Sequence, residues 1–230
     1  MAGRWQKISP NSVLVDPIAQ MPTFDDLVRR RRMCRSFLPS PLPPRAVDDI
    51  VDLATRAPSA GRAQGLRVVC LEGVARDIYW DLTLPEPRRA TFRWQRLLKA
   101  PTLLLVFADP DAYVARYRES DKRHTGLGES TEQWVTPYWT VDVATAVMVM
   151  LLAAEERGFG ALFFALANGE GAVRQHFEVP ARLQTIGVVA LGYPDTSDAD
   201  ALGQGRSARR PRLGADQVMR RFGNQLPDDQ

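Results

Sequence analysis

Apolar positions in this chain follow two rhythms, a helical period near 3.6 residues and short continuous runs, and the two alternate along its length. Thr23 with Asp26 three residues on makes a capping-box start and predicts a helix through about Met33, with Phe24, Leu27 and Val28 on its apolar stripe. A second helix opens at Pro43-Pro44 and carries Val47, Ile50, Val51 and Ala54 on one face. Residues 66–71 read as a first strand. A helix around 89–99 leads into 102–107, an unbroken apolar run of the kind that forms a buried strand. A short helix over 111–118 precedes a polar, turn-rich stretch, 119–137, expected to be a mobile loop. A long helix over 138–157 ends at Gly158. A strand over 161–166, a short helix over 172–177 and a strand over 185–191 complete the pattern. Alternating strands and helices predict a central sheet covered by helices. With no internal repeat and no long linker, one domain is expected over 23–220, with an N-terminal extension at 1–22 and a tail at 221–230.

Residues 141–154 are apolar on nearly every face. A helix of that kind must be surrounded by protein, either by a second subunit or at the centre of a monomer. The run contains Asp142 and falls short of the ~20 residues that cross a bilayer. Residues 1–21 hold no apolar core of signal-peptide length. A cytoplasmic protein with no membrane role is expected.

At 230 residues the chain can bury one substantial core. Its formal charge of +3 is a small surplus, and neither aromatic interleaving nor a reader motif accompanies it, so no nucleic-acid partner is expected. Cys34 and Cys70 have no metal or redox spacing. Cys70 falls in an apolar strand and is expected in the core, and no disulfide is expected. His124 and His176 stand at no ligand spacing, so no metal site is expected. No Gly-Lys-Ser phosphate loop, strand-borne Gly-x-Gly-x-x-Gly or nucleophile elbow occurs. An enzyme with this inventory needs a bound organic cofactor for its chemistry.

Three stretches suit such a ligand. Residues 57–65 (Ala-Pro-Ser-Ala-Gly-Arg-Ala-Gln-Gly) are mostly small residues and backbone breakers, which let the main chain approach a flat molecule. Arg29 to Arg32 fan around their helix and make no single basic face. Arg31, seven residues after Phe24, falls on the apolar stripe. A guanidinium there needs an internal carboxylate or a bound phosphate. Arg206, Arg209, Arg210 and Arg212 near the C-terminus are either a solvated basic tail or a second contact to the same anion.

In their order and spacing these stretches resemble the FMN-dependent nitroreductase family, over roughly residues 24–218, in a form similar to an actinobacterial-type branch. In that family the first helix ends in Arg-Arg-Ser followed by a basic residue. The matching run here is Arg31-Arg32-Met33 with Arg35, and Met33 replaces the serine. The family's Pro-Ser-x-x-Asn-x-Gln-Pro-Trp loop matches Pro58 to Leu66, with Arg62, Gly65 and Leu66 in place of Asn, Pro and Trp. Residues 158–166 match the strand whose amides face flavin N5 and O4. Arg209-Arg210-Pro211 matches the motif that returns to the FMN phosphate.

The resemblance implies an α+β fold, a central mostly antiparallel sheet flanked by helices, in an intertwined homodimer with FMN at the interface. It implies NAD(P)H as reductant, with hydride passing through flavin N5 to a small organic acceptor that is nitroaromatic, quinone-like or an unknown biosynthetic substrate. Arg31, Arg32, Arg209 and Arg210 are then assigned to the phosphate, with Met33 beside them. Arg35 stabilises charge on the reduced ring. Pro58, Ser59, Ala60, Gly61 and Gln64 approach the ring, and Phe163, Phe164, Ala165 and Leu166 offer amides to its other edge. No protein acid or base is required. Trp134, Tyr138 and Trp139 either line the acceptor pocket or pack the core. A flavin-sequestering protein without catalysis, a deazaflavin user and a dedicated dehydrogenase remain alternatives.

Overall fold

In the computed structural model, which describes residues 22–197 and 210–222, four strands form one sheet in the order β1-β2-β4-β3. They are β1 (Leu66–Glu72), β2 (Thr102–Ala108), β3 (Gly160–Phe164) and β4 (Gln184–Gly192), and every neighbouring pair is antiparallel. All of β2 is buried, which explains its unbroken apolar run. Its side chains alternate between two cores. Leu104, Val106 and Ala108 face α2 (Ala46–Ala54), α4 (Pro110–Tyr117) and α5 (Tyr138–Glu156). Leu103, Leu105 and Phe107 face α3 (Gly73–Thr83) and α6 (Glu170–His176).

The first helix, α1 (Phe24–Arg30), has the expected Thr23–Asp26 capping box but stops before Met33. Met33 is paired beside Ala161, and the Cys34 amide donates to the Ala161 carbonyl at 2.9 Å. Extended pairing along β3 therefore outcompetes the last helical turn. Gly160 admits the close approach, because a Cβ there would stand 2.7 Å from Cys34 Sγ. The stripe expected to face the core is open in this chain, with Phe24 69% and Val28 39% exposed.

Two further expectations are corrected. Residues 89–99 form turns and a 3-10 segment, Gln95–Lys99, because the Gln95 side-chain amide occupies the Arg89 and Phe92 carbonyls that a helix would need. The helix that does form is α3, and it starts at once after β1 on Gly73, with φ +53 and no side-chain cap. Cys70 is exposed on β1, an outer strand. Strand β3 ends at Phe164, so Ala165 and Leu166 lie just beyond it.

The 119–137 stretch expected to be loose is tied down. Arg118 Nε donates to the Gly128 carbonyl at 2.7 Å, and the Trp134 indole donates to the Leu127 carbonyl at 2.9 Å. Helix α5 is half-covered. Val143, Val147, Met150 and Ala154 are buried against the sheet side, while Tyr138, Val141 and Met148 form an exposed stripe. Among the described residues it is the one helix long and apolar enough to cross a membrane, and its inner face is taken by the core. Helix α7 (Ala215–Val218) closes the described chain.

Candidate functional site

The turn after α2 is built on small side chains. Ser59 is extended, and a 3-10 turn follows over Ala60–Arg62. Gly61, Arg62 and Gln64 all take left-handed angles, φ +58, +61 and +56. Of the three, only glycine adopts that region without steric cost. The Gln64 amide donates to Ser59 Oγ at 3.2 Å. The Ala60 amide donates to Asp142 Oδ2 at 2.7 Å, and Arg116 Nε donates to the Gly61 carbonyl at 2.7 Å. Pro58, Ser59, Arg62 and Gln64 line a cavity of about 600 Å³ against α5, which adds Asp142 and Val143.

The basic stretch is less settled. Arg31 caps α1, and its Nη1 is buried with no hydrogen-bond partner among the described residues. Burial, then the positive charges of Arg212 and Arg32, push its pKa down, against a smaller opposing pull from Glu155. Glu155 is engaged by Arg30 at 3.0 Å. A part-buried guanidinium with cations beside it and one buried N–H group unpartnered among the described residues is a place for an anion. Arg32 turns back onto the carbonyls of Arg29 and Arg31. Of the C-terminal arginines, Arg206 and Arg209 lie outside the described residues and Arg210 is exposed. Arg212 is the one close enough to shift Arg31.

Arg35 rests on Trp94, with its guanidinium 5.4 Å from the ring centroid. Both line a second cavity of about 430 Å³ with Phe163, Phe164, Ala165 and Leu166. Trp80 forms its back wall, stacked on Phe164 at 6.1 Å and 5°, and the buried Trp80 indole N–H has no partner among the described residues. The structure thus brings Arg35 together with 163–166, and sets Met33 on the adjoining edge of β3. It puts Pro58, Ser59 and Gln64 elsewhere. The two cavities share no residue, and one leans on the α2–α5 core, the other on the α3 core.

The aromatic trio divides as well. Trp139 is packed in the core, with its indole N–H donated to Gln184 Oε1 at 2.7 Å. Trp134 is buried under Tyr117, 4.7 Å between centroids. Tyr138, 45% exposed, borders a cavity of about 480 Å³ that also meets Ala60, Tyr117 and one edge of Trp134. Sequence reasoning missed Asp142, Arg116, Trp80 and Trp94. Of these only Asp142 left a signal, as a lone acid in an apolar helix. Among the described residues no cluster of acids, cysteines and histidines could hold a metal ion.

A family model described as the nitroreductase family matches residues 28–193. The chain belongs to the nitroreductase family. Its antiparallel sheet between helical layers is the α+β nitroreductase fold that the resemblance implied. It is similar to a 5,6-dimethylbenzimidazole synthase of Rhodospirillum rubrum, 29% identical over 74% of this chain and 82% of that protein. It is also similar to an NADH dehydrogenase of Thermus thermophilus, 28% identical over 76% of this chain and 90% of the other. A nitroreductase-type structure from Desulfovibrio desulfuricans, solved in complex with FMN, superposes with a TM-score of 0.58 at 20% identity over 86% of this chain and 95% of its own.

Proposed function

We propose that this nitroreductase-family protein is an FMN-dependent oxidoreductase that takes reducing equivalents from NAD(P)H and passes them to a small organic acceptor. The observation that carries this reading is Arg31, whose buried Nη1 finds no acceptor among the described residues while Arg212 and Arg32 add positive charge beside it. A phosphate supplies the missing acceptor, and each charge-assisted hydrogen bond it makes contributes roughly 1.5–3 kcal/mol. The Desulfovibrio relative with bound FMN and the Thermus NADH dehydrogenase support the choice of cofactor and reductant.

Bound FMN would supply hydride acceptance and donation at N5, chemistry that no side chain of this protein offers. The chain's own residues bind and orient. Arg31 and Arg212 would hold the phosphate, with Arg32, Met33 and Arg210 beside them, and Arg209, which lies outside the described residues, is assigned to it by the family motif. Arg35 places positive charge where the reduced ring gathers negative charge. Ser59, Ala60, Gly61 and Gln64 present a small-residue wall to the ring, and the 163–166 backbone faces its opposite edge. Tyr138 borders the acceptor.

The wall and the Arg35 cavity lie apart in one chain. A second copy, packed over the exposed α5 stripe, would bring its wall to the first copy's cavity. Phe24, Val28, Leu213 and Phe222 are also exposed and would be covered by such an embrace. Interfaces of this obligate kind bury on the order of 2,000 Å² or more.

A second reading, a dedicated biosynthetic reaction on the same cofactor, is favoured by the resemblance to the Rhodospirillum synthase. The test is to purify the protein, record its visible spectrum and weigh the released cofactor. NADH and NADPH oxidation with nitroaromatic and quinone acceptors follows. A protein that stays colourless in excess FMN overturns the proposal. Bound FMN without NAD(P)H oxidation replaces it with flavin storage or the dedicated reaction.

A further inference from the structure

Two of the three left-handed residues at the turn, Arg62 and Gln64, carry side chains that make such angles costly. Conformations of this kind persist only where their surroundings over-determine them. Here the surroundings are specific. Asp142 Oδ2 takes the Ala60 N–H at 2.7 Å, on one side of Gly61. Arg116 Nε donates its N–H to the Gly61 carbonyl at 2.7 Å, on the other. The Tyr117 ring occupies the space beside Gly61, where a Cβ would stand 2.8 Å from Tyr117 Cε2.

Both gripping groups are themselves held. Tyr113 donates its hydroxyl to the same Asp142 oxygen at 2.9 Å, and burial, then the carboxylate, push the phenol pKa up, so it stays a donor. Arg116 spreads its fork over Asp121, with both contacts at 2.7 Å. Each grip ties a helix to a peptide group of the turn, Asp142 from α5 and Arg116 from α4. We infer that Asp142 and Arg116 are positioning residues, an acid and a cation that clamp the Ser59–Ala60 and Gly61–Arg62 peptides on either side of the Ala60–Gly61 step and so set the shape of the wall offered to the flavin ring. The inference rests on the flavin reading above for its ligand only.

The test compares Asp142→Ala, Asp142→Asn, Arg116→Lys and Thr102→Val in the full-length protein. Dissociation constants for FMN and riboflavin are measured by flavin fluorescence, and backbone hydrogen exchange is followed over residues 59–64. Asp142→Ala should weaken both flavins by the same factor, about tenfold, because the wall meets the ring and not the phosphate. Asp142→Asn, which keeps an acceptor, should recover most of that loss. Arg116→Lys, which loses the fork, should weaken both flavins several-fold. Exchange over 59–64 should rise in Asp142→Ala and Arg116→Lys. Thr102→Val removes the hydrogen bond from a buried hydroxyl to Glu72 at the far end of β2 and lowers the melting temperature, yet should leave flavin affinity within about twofold.

A loss in Thr102→Val as large as in Asp142→Ala would show a general stability effect and overturn the clamp. So would unchanged exchange over 59–64 in Asp142→Ala. If Asp142→Ala does not fold, Asp142→Asn and Arg116→Lys decide, and wild-type exchange in both overturns the inference. If the wild type binds neither flavin, the functional reading fails, and the exchange measurement alone decides the clamp.

Discussion

The small-residue turn and the basic stretch serve the same proposed ligand, but their hydrogen bonds are closed to different degrees. The turn has taken its partners from its own chain: Ala60 from Asp142, Gly61 from Arg116, Gln64 from Ser59. The basic stretch is waiting. Arg31 has a donor with no partner among the described residues, Arg32 leans on its own helix end, and Arg35 lies over Trp94. One region is a preformed wall and the other is completed by what binds. Binding free energy should therefore come chiefly from the arginines, while the wall decides which flat molecules fit.

The largest effect should come from separating the two regions altogether. Val141→Asp with Met148→Asp puts charge on the exposed α5 stripe. If a second copy brings the wall to the Arg35 cavity, sedimentation should show a monomer and flavin affinity should fall by about 100-fold or more, ~2.8 kcal/mol. Retention of flavin by a monomeric variant would show that one chain suffices. Val147 and Met150 are unsuitable probes of assembly, because both are buried within the protomer at 3% and 0% exposure. Charge there would unfold the chain itself.

Arg31→Ala attacks the unfinished side. FMN affinity should drop at least tenfold, about the worth of one charge-assisted hydrogen bond, and riboflavin affinity should hold. Fluorescence titration with both ligands checks this, and equal losses would remove the phosphate from Arg31. Gly61→Ala attacks the finished side. A Cβ must enter at φ +58 against Tyr117, so stability should fall by about 1 kcal/mol. Calorimetry would register that fall, and both flavins should weaken alike. The smallest change is expected from Arg35→Ala. FMN should stay bound, while stopped-flow reduction by NADH slows several-fold, because that cation is assigned to the ring. Loss of FMN itself would move Arg35 to the phosphate side.

The sequence made the wall and the arginines visible because each is a local run of residue types. The same holds for β2, whose unbroken apolar stretch follows from burial on both faces. The clamp was hidden, since Asp142 and Arg116 act on peptide groups 82 and 55 positions away, and side chain-to-backbone bonds leave no spacing pattern. Helix α3 was hidden for a different reason: it follows β1 without a polar cap, so Gly73 reads as a turn. At 89–99 the periodicity was helical, but Gln95 spends its side chain on carbonyls the helix needed. Trp139 could not be placed because an aromatic residue at a helix start suits a pocket and a core equally. Only the helix's rotation, with Gln184 waiting for the indole, decides it.

Strand β1 ends the sheet on one side, and exposed backbone of that kind can template strand-by-strand growth into insoluble fibres. Arg67, Cys70 and Glu72 are exposed along it, and Arg67 folds across the strand's start to reach Asp109 at 3.1 Å. An incoming strand would have to displace that ion pair and align its own charges against Arg67 and Glu72. Concentrated solutions should therefore stay clear and free of thioflavin-positive aggregates, and the first substitutions to cloud them should be apolar ones at Arg67 and Glu72.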